Sequence, residues 1–499
     1  MVNDLPWYKD LALIQMLIDD FKGSPERQEM LEGEQYYRNE NEILNRKLYY
    51  YDKTHAKVVD ETKPNNTIAH AFLRLQVDEK TGYFLGRSPN ITAEDKSFQD
   101  LLITTFDEDF DDTLHDVCVD TSTKGISWLY VYPDEAAKNM RYEMFPGEII
   151  VPLWKDRAHR ELDGIIVDYY QEHFDTATGK KTETHKIEAW HPQGVMFYTD
   201  YTGDLVEDIE RMFPDLADLT EIPEYPETGV PHFSVNKLGQ NWGFVPFIPF
   251  RNNSMELSDL RFVRKEIDSY DKGVSDLANL MEEIKRLIVV LKNFQGTDLS
   301  EFMENLRYYG AVKTDEDGGV DKLDLNYSID STDKYLDRLK KDIARFGQSV
   351  DMDTDKFGAD PSGVALEFLY SGLKLKVDSL ERKFKRAFKK LFQMAATYYQ
   401  LTGKGTFDWT TAKVTFNRSE ISNVLDQIKA VAESKTLISE KTALAHHPWV
   451  DDVTTELEEM ANDTKISLDK IPAGDASADP NAPEPTPVDP AAADSGGGK

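Results

Sequence analysis

The sequence predicts a multidomain α+β protein, and three observations carry that prediction. Its 499 residues amount to about three domains at roughly 150 residues each. Apolar residues recur at spacings of three and four near both ends of the chain. Between Gly125 and Phe250 the period changes to short β-branched and aromatic runs separated by turn residues. With 40% hydrophobic and 11% aromatic residues there is ample apolar mass for a packed core, which excludes wholesale disorder.

The first element is an amphipathic helix from Trp7 to Phe21, with Leu11, Leu13, Ile14, Leu17, Ile18 and Phe21 on its apolar side. Gly23-Ser24-Pro25 breaks it, because proline presets φ where glycine relaxes it. A tyrosine-rich, charged helix follows from Met30 to Leu44. Pro64-Asn65-Asn66-Thr67 reads as a turn and cap ahead of a helix over Ile68 to Phe84, which Gly86-Arg87-Ser88-Pro89 stops. One further helix is expected from Ser97 to Asp120. The strand candidates are Ile126 to Tyr132, Glu148 to Pro152, Gly164 to Tyr170, His185 to Trp190 and Val195 to Thr199, in a mostly antiparallel sheet. Val206 to Gly229, acidic and proline-bearing, reads as a surface insertion, and Pro246 to Phe250 ends the β-rich part.

After Asn252-Asn253 the pattern is helical again, with a long helix expected over Met255 to Glu283. A small mixed unit follows: the apolar run Ile284 to Lys292, a helix near Asp298 to Tyr308, a strand Tyr309 to Lys313, the turn Asp317-Gly318-Gly319, and a strand Val320 to Leu325. A helix over Ser331 to Val350 leads to a charged loop, Asp351 to Gly363. The strongest helical signal runs from Val364 to Leu401, with the stripe Leu373, Val377, Leu380, Phe384, Phe388, Leu391 and Ala395. Gly403-Lys404-Gly405 ends it; a short strand, Lys413 to Phe416, and two more helices to about Thr464 complete the folded part. From Pro472 onward the chain is Ala, Pro, Asp, Ser and Gly, a composition expected to stay disordered.

Charge narrows the function. The chain has 58 Lys+Arg against 91 Asp+Glu, a formal charge of −33, so its surface as a whole does not bind nucleic acid and any DNA contact is local or weak. The single cysteine, Cys118, excludes an internal disulfide framework and any multi-cysteine metal site. No signal pattern follows Met1, and the densest apolar run, Leu287 to Leu291, is too short to span a bilayer. The expected setting is the cytoplasm, or a particle assembled there, with no membrane partner.

A search for enzymatic chemistry comes back empty. Asp107, Asp109, Asp111 and Asp112 have calcium-loop spacing, but the turn-glycine position is Asp112 and the bidentate-glutamate position is Cys118. Asp351, Asp353 and Asp355 fail in the same way, with Lys356 and Ser362 at those places. Both read as solvated acidic surface. His446 and His447 are adjacent and diverge on a helix, while His185 and His191 read as structural or exposed. Gly403-Lys404-Gly405-Thr406 lacks the earlier glycine of a phosphate-binding loop. No metal and no cofactor is expected. What stands out is a basic cluster on the long helix of an acidic chain: Lys374, Lys376, Arg382, Lys383, Lys385, Arg386, Lys389 and Lys390. It is either a solvated helix face or a contact with a polyanion or an acidic neighbouring subunit.

The order of these elements resembles that of the phage portal proteins, the head–tail connectors of tailed phages, and most of all those of siphophages of Gram-positive hosts. The resemblance begins with Gly33-Glu-Gln-Tyr-Tyr-Arg38, Asp60-Glu-Thr-Lys-Pro-Asn-Asn66 and Val77-Asp-Glu-Lys-Thr-Gly-Tyr-Phe-Leu-Gly86. It continues through Phe106 to Asp112, Pro246-Phe-Ile-Pro-Phe-Arg-Asn-Asn253 and Ser258-Asp-Leu260. Val290 to Asn293, Asn305 to Tyr308, Asp317 to Asp321 and Thr402 to Gly405 extend it. No single stretch is diagnostic; their colinearity over residues 30 to 465 is.

The resemblance implies a portal-type ring subunit, about twelve copies surrounding a DNA tunnel at one capsid vertex. Residues 1–30 would be an N-terminal helical arm and 31–254 a β-rich wing; 255–281 and 330–350 would be the two stem helices. Residues 282–329 would be a small α+β clip, which binds the terminase large subunit during packaging and the head-completion adaptor afterwards. Its implied partner-binding residues are Asn293, Phe294, Asn305, Arg307, Tyr308, Asp317, Gly318 and Gly319. Residues 351–363 would be the tunnel loop, with Asp351, Met352, Asp353, Thr354, Asp355, Lys356, Phe357, Gly358 and Asp360 towards double-stranded DNA. The long helix would cover 364–402, a return strand 403–418, a helical crown 419–465 and the tail 466–499. Scaffold and major capsid protein are the remaining implied partners. About twelve copies would carry roughly −400 charges before counterions, which suits a conduit that must not hold its DNA. Within the loop only Lys356 is basic, so transient contact through Lys356 and Phe357 is expected rather than a clamp. Two other classes remain open from the residues alone: a metal-dependent nuclease using Asp107 to Asp112, and a tail or baseplate protein.

Overall fold

The computed structural model describes residues 5–134, 139–175, 179–201, 204–212, 227–235, 238–283, 289–292, 319–322, 329–350, 363–418, 424–445, 447, 449–450, 453, 456–457 and 459–461. The loop at 351–362, the clip positions between 293 and 318, most of the acidic insertion and the C-terminal tail lie outside them. The chain divides into two compact units, Met1–Ile421 and Ser422–Lys499.

The first unit opens with a short 3-10 turn and α1 (Leu11–Lys22), whose N-terminus is capped where the Leu13 N–H donates to Asp10 Oδ1 at 3.1 Å. Ser24 caps α2 (Pro25–Tyr37), with Pro25 in the first turn, where its missing N–H costs nothing. The predicted continuation to Leu44 fails: the chain leaves the helix at Arg38, Asn39 takes φ 62°, and a 3-10 turn covers Glu42–Asn45. A small hairpin, β1 (Tyr49–Tyr51) and β2 (Lys57–Val59), stands with every residue exposed.

The next helix, α3, begins at Phe72 and ends at Leu85, four residues later than the cap signal suggested. The asparagines before it do not cap it. Asn66 instead donates both its backbone N–H (2.6 Å) and its side-chain amide (2.9 Å) to Asn279 Oδ1. Strand β3 (Asn90–Thr92) then leads to α4 (Lys96–Thr105) and α5 (Glu108–Lys124), where one helix was expected. The break is Asp107, whose carboxylate accepts the Phe110 N–H at 3.2 Å and so caps a new helix. The acidic cluster thus has a local purpose, since Glu108, Asp109 and Asp111 occupy the first turn, at the positive end of the helix dipole.

The β-rich part forms two antiparallel sheets. Strands β4 (Ile126–Asp134) and β5 (Asn139–Phe145) pair with each other; β6 (Ile150–Trp154), β7 (Leu162–Asp175), β8 (Lys180–His191), β9 (Gly194–Tyr201) and β10 (Asp204–Glu207) make a five-stranded meander in the order β10-β9-β8-β7-β6. After α6 (Ile209–Met212) and the hairpin of β11 (Phe233–Val235) and β12 (Leu238–Gln240), β13 (Phe247–Arg251) joins the other side of β4. The side-chain alternation of these strands sorts the core into layers. Ile14 and Ile18 of α1 pack with Ile166, Ile187 and Ala189 on one face of the meander. Ile165, Val167 and Trp190 on its other face pack with Ile126, Trp128 and Phe247 of the three-stranded sheet. Leu129, Val131, Ile248 and Phe250 then face the helices.

Residues 255–263 do not continue a helix. Ser258 caps a 3-10 turn, Asp259–Phe262, and α7 starts only at Arg264 and runs to Glu283. Strand β14 (Val289–Lys292) pairs with β15 (Gly319–Lys322), Lys292 opposite Gly319. Helix α8 (Ile329–Phe346) lies close to α7: a Cβ on Gly273 would sit 2.9 Å from Leu336 Cδ2. The long helix α9 (Gly363–Leu401) buries all seven residues of its predicted apolar stripe, against α3, α4, α5 and the three-stranded sheet. Strand β16 (Lys413–Thr415) pairs with β3. The second unit contains α10 (Val424–Ser434) and α11 (Glu440–Ala445). No described helix is long and apolar enough to cross a membrane.

Candidate functional site

The long helix concentrates the chemistry that the sequence singled out. Its apolar stripe is a wedge of Phe384, Phe388, Leu391 and their neighbours driven into the core, so the cations between them are forced to the flanks. They meet four different fates.

Lys376 goes inside. Its ammonium lies 3.0 Å from Asp259 Oδ2 and donates to the Gly347 carbonyl at 2.8 Å. The fully buried Lys80 meets the same carboxylate at 2.8 Å and Asn252 Oδ1 at 2.6 Å, while Asn252 donates to Asp259 Oδ1 at 2.9 Å. Burial would push the Asp259 carboxyl up, but Lys376 and Lys80 overcome this and hold it down at about 2. Lys376 therefore ties the long helix to the 259–262 turn and to α3, and is not presented to solvent. Lys385 bonds Glu381 one turn back at 2.7 Å, and Glu381 also accepts from Arg418. Lys374 and Arg382 are exposed.

The remaining four, Lys383, Arg386, Lys389 and Lys390, line one wall of a cleft of about 470 Å³. Lys155, Arg160 and Arg251 come to the same cleft from the sheets, and Glu161 is the one carboxylate among its lining residues. Trp154, Phe244 and Trp409 make it apolar as well as basic. Lys390 sits 3.4 Å from the centre of the Phe244 ring and bonds Gln393 at 3.1 Å; burial lowers its ammonium to about 8. Lys383 is lowered too, first by burial and then by repulsion from Arg251 and Arg386. Arg251, on the last residue of β13, is 8% exposed. It bonds Glu256 at 2.6 Å and the His159 carbonyl at 3.1 Å, with its guanidinium 5.7 Å from the Trp154 ring. Its Nε is buried with no hydrogen-bond partner. Among the described residues Lys383, Arg386 and Lys389 make no ion pair. The arrangement can hold an anion: charges of one sign converge, water is partly excluded, and a donor is left over.

Charge clustering on the long helix picked out four of these cations. It could not find Lys155, Arg160 or Arg251, which come from strands and turns more than a hundred residues away; the one pointer was that Arg251 falls within Pro246–Asn253. Of the other sequence candidates, Gly319 lies in β15, whereas Asn293, Phe294, Asn305, Arg307, Tyr308, Asp317, Gly318 and the whole loop Asp351 to Asp360 lie outside the described residues. The histidines have structural partners: His185 pairs with Asp168, and His191 stacks on Tyr8 at 3.7 Å and bonds the Thr228 carbonyl at 2.9 Å.

Comparison with known proteins agrees with the resemblance in element order. Residues 22–467 match the family described as phage portal protein, SPP1 Gp6-like. The chain is 33% identical over 452 residues to the portal protein of Bacillus phage SPP1, covering 90% of this chain and 85% of that one. It is 29% identical over 458 residues to the portal protein of Clostridium phage phiCD119, covering 89% of this chain and 94% of that one. With a family match that runs from α2 into the second unit and two portal proteins matched over about nine-tenths of its length, the chain belongs to the SPP1 Gp6-like family of phage portal proteins.

Proposed function

We propose that the chain assembles as a ring of about twelve subunits at one capsid vertex and serves as the conduit for DNA packaging and ejection. Portal proteins are structural components of the phage capsid that form oligomers, and the family match over residues 22–467 is the observation that carries the reading. In this reading residues 31–254 are the wing, 255–281 and 330–350 the stem, 282–329 the clip, 351–363 the tunnel loop and 419–465 the crown. The close approach of α7 and α8 at Gly273 and Leu336 supports a two-helix stem, and the antiparallel pair β14–β15 supports a small clip between its helices.

The clip docks the terminase large subunit while DNA enters and a head-completion adaptor afterwards; scaffold and major capsid protein hold the ring in the shell. Assembly takes place in the host cytoplasm. The ring itself performs no catalysis, and the energy for translocation comes from the separate motor. Weak, sequence-independent contact suits a conduit, because tight phosphate binding would arrest the DNA.

Negative-stain class averages of the purified protein test this directly. Rings with a central hole and about twelve-fold symmetry are expected; a homogeneous monomer or dimer would count against the reading. For the tunnel loop, Lys356→Ala is expected to slow DNA packaging, and an unchanged packaging yield would remove the role given to that side chain.

A further inference from the structure

The cleft between the long helix and the two sheets has no assigned ligand. We infer that it receives a carboxylate-bearing, partly apolar segment of a second copy of this chain. This rests on the reading of the chain as an oligomer.

Three features choose this occupant. The first is charge. Seven Lys or Arg side chains converge on the cleft against one lining carboxylate, in a chain whose formal charge is −33. Complementary acidic surface is what every neighbouring copy offers in abundance. The second is the leftover donor: Arg251 is buried, yet its Nε has no partner, while its Nη2 serves both Glu256 and the His159 carbonyl. A buried guanidinium donor without an acceptor is costly, and an incoming carboxylate would satisfy it. The third is shape. A concavity of about 470 Å³ has the size that admits a few side chains or a small molecule. The phosphates of a duplex stand on a convex backbone and are met by protruding cations. Trp154, Phe244 and Trp409 would find nothing to touch there, whereas they suit the apolar residues that flank acidic ones in a peptide.

The test uses the full chain. Its own Cys118 is fully buried, and burial pushes the thiol up to about 11, so a maleimide photo-crosslinker placed at Lys389→Cys labels that position alone. Nitrogen-15-labelled and unlabelled chains are mixed, assembled and irradiated. Crosslinks from the probe to Asp- or Glu-rich peptides carrying the other isotope label are expected. In parallel, the double variant Lys383→Glu/Arg386→Glu is expected to raise the concentration for half-assembly at least about tenfold by mass photometry, with its thermal midpoint near that of the parent.

Crosslinks confined to one isotope, or a double variant that assembles as well as the parent, would overturn the inference and leave the ring intact. A parent chain that stays monomeric would overturn both. Crosslinking to an added 30-base-pair duplex in place of a second copy would also overturn it and assign the cleft to DNA. If the double variant fails to fold, the Lys389→Cys crosslink decides alone, since Lys389 is exposed at the mouth of the cleft.

Discussion

Asp259 shows how a few charges organise this molecule at the scale of single residues. One carboxylate joins Lys80 of α3, Lys376 of the long helix and Asn252 beyond the end of β13. Removing one member of such a set leaves the others buried without compensation. Asp259→Asn is expected to lower unfolding free energy by about 3–5 kcal/mol, read as a lower urea midpoint with unchanged slope. Because this carboxyl is held at about 2, its contribution is present above the ordinary carboxylate range and disappears as pH falls towards 2. His232 acts in the same direction over a higher pH window. Its Nδ1 accepts the Trp242 N–H at 3.2 Å and its Nε2 faces the His191 carbonyl at 2.8 Å, an arrangement for one neutral tautomer. Burial pushes this imidazole down to about 4. The unfolded chain therefore takes up the proton first, and stability falls as pH drops from about 6.5 towards 4, by roughly 3 kcal/mol at most. Urea titrations at pH 7 and 4.5 should show the loss, and His232→Gln should remove that part of the slope. Asp259 falls within Ser258-Asp-Leu260, one of the stretches that carry the family resemblance, but neither it nor His232 is marked in the sequence as a buried partner.

At the scale of elements, the long helix was legible and its neighbours only partly so. Seven apolar residues at spacings of three and four are a strong signal, and all seven are buried. Phe388→Ala opens a cavity among Phe106, Phe110, Phe392 and Phe416, and is expected to cost about 3–5 kcal/mol, measured by chemical denaturation. Helix α7 carries a different code. Asp271, Ser275 and Asn279 lie four apart and are buried, and they take up backbone N–H groups of His70, Ile68 and Asn66 at 3.1, 3.0 and 2.6 Å. A polar stripe at helical spacing reads in sequence as an exposed face; here it is where an extended segment docks. The expectation of an asparagine cap before α3 failed for this reason, since Asn66 had a better partner more than two hundred residues away. The N-terminal arm also depends on a contact between residues far apart in sequence. A Cβ on Gly164 would fall 1.9 Å from Trp7 Cζ2, so Gly164→Ala is expected to displace the arm. Faster proteolysis near Trp7 and a red-shifted tryptophan emission would report it.

For the whole molecule, the charge balance governs behaviour towards DNA. The proposed ring is expected to bind a 30-base-pair duplex no more tightly than ordinary non-specific binding, roughly micromolar to 100 µM at physiological salt, and without sequence preference. Fluorescence anisotropy with two unrelated duplexes would check it. A tight, sequence-dependent complex would contradict a conduit that lets DNA slide. The basic cluster on the long helix does not alter this expectation. One of its members is tied to Asp259, another is paired within the helix, four line a concave cleft, and Lys374 and Arg382 are the two left exposed outside these groups.

Local signals determined a good deal. Period and turn chemistry located the helices at both ends, most strands of the meander and the long helix, because amphipathic spacing is a property of neighbours along the chain. Colinear stretches from Gly33 to Gly405 pointed to the portal family for the same reason, each being short and local. What only the tertiary structure decided was the pairing of distant polar groups. It brought Lys80 and Lys376 to one carboxylate, laid the α7 stripe along residues 66–70, and gathered Arg251 with Lys383 and Lys390 around one cleft. Such sites form where low dielectric and lost hydration make an unpaired charge expensive, and burial is set by the packing of layers far apart in sequence.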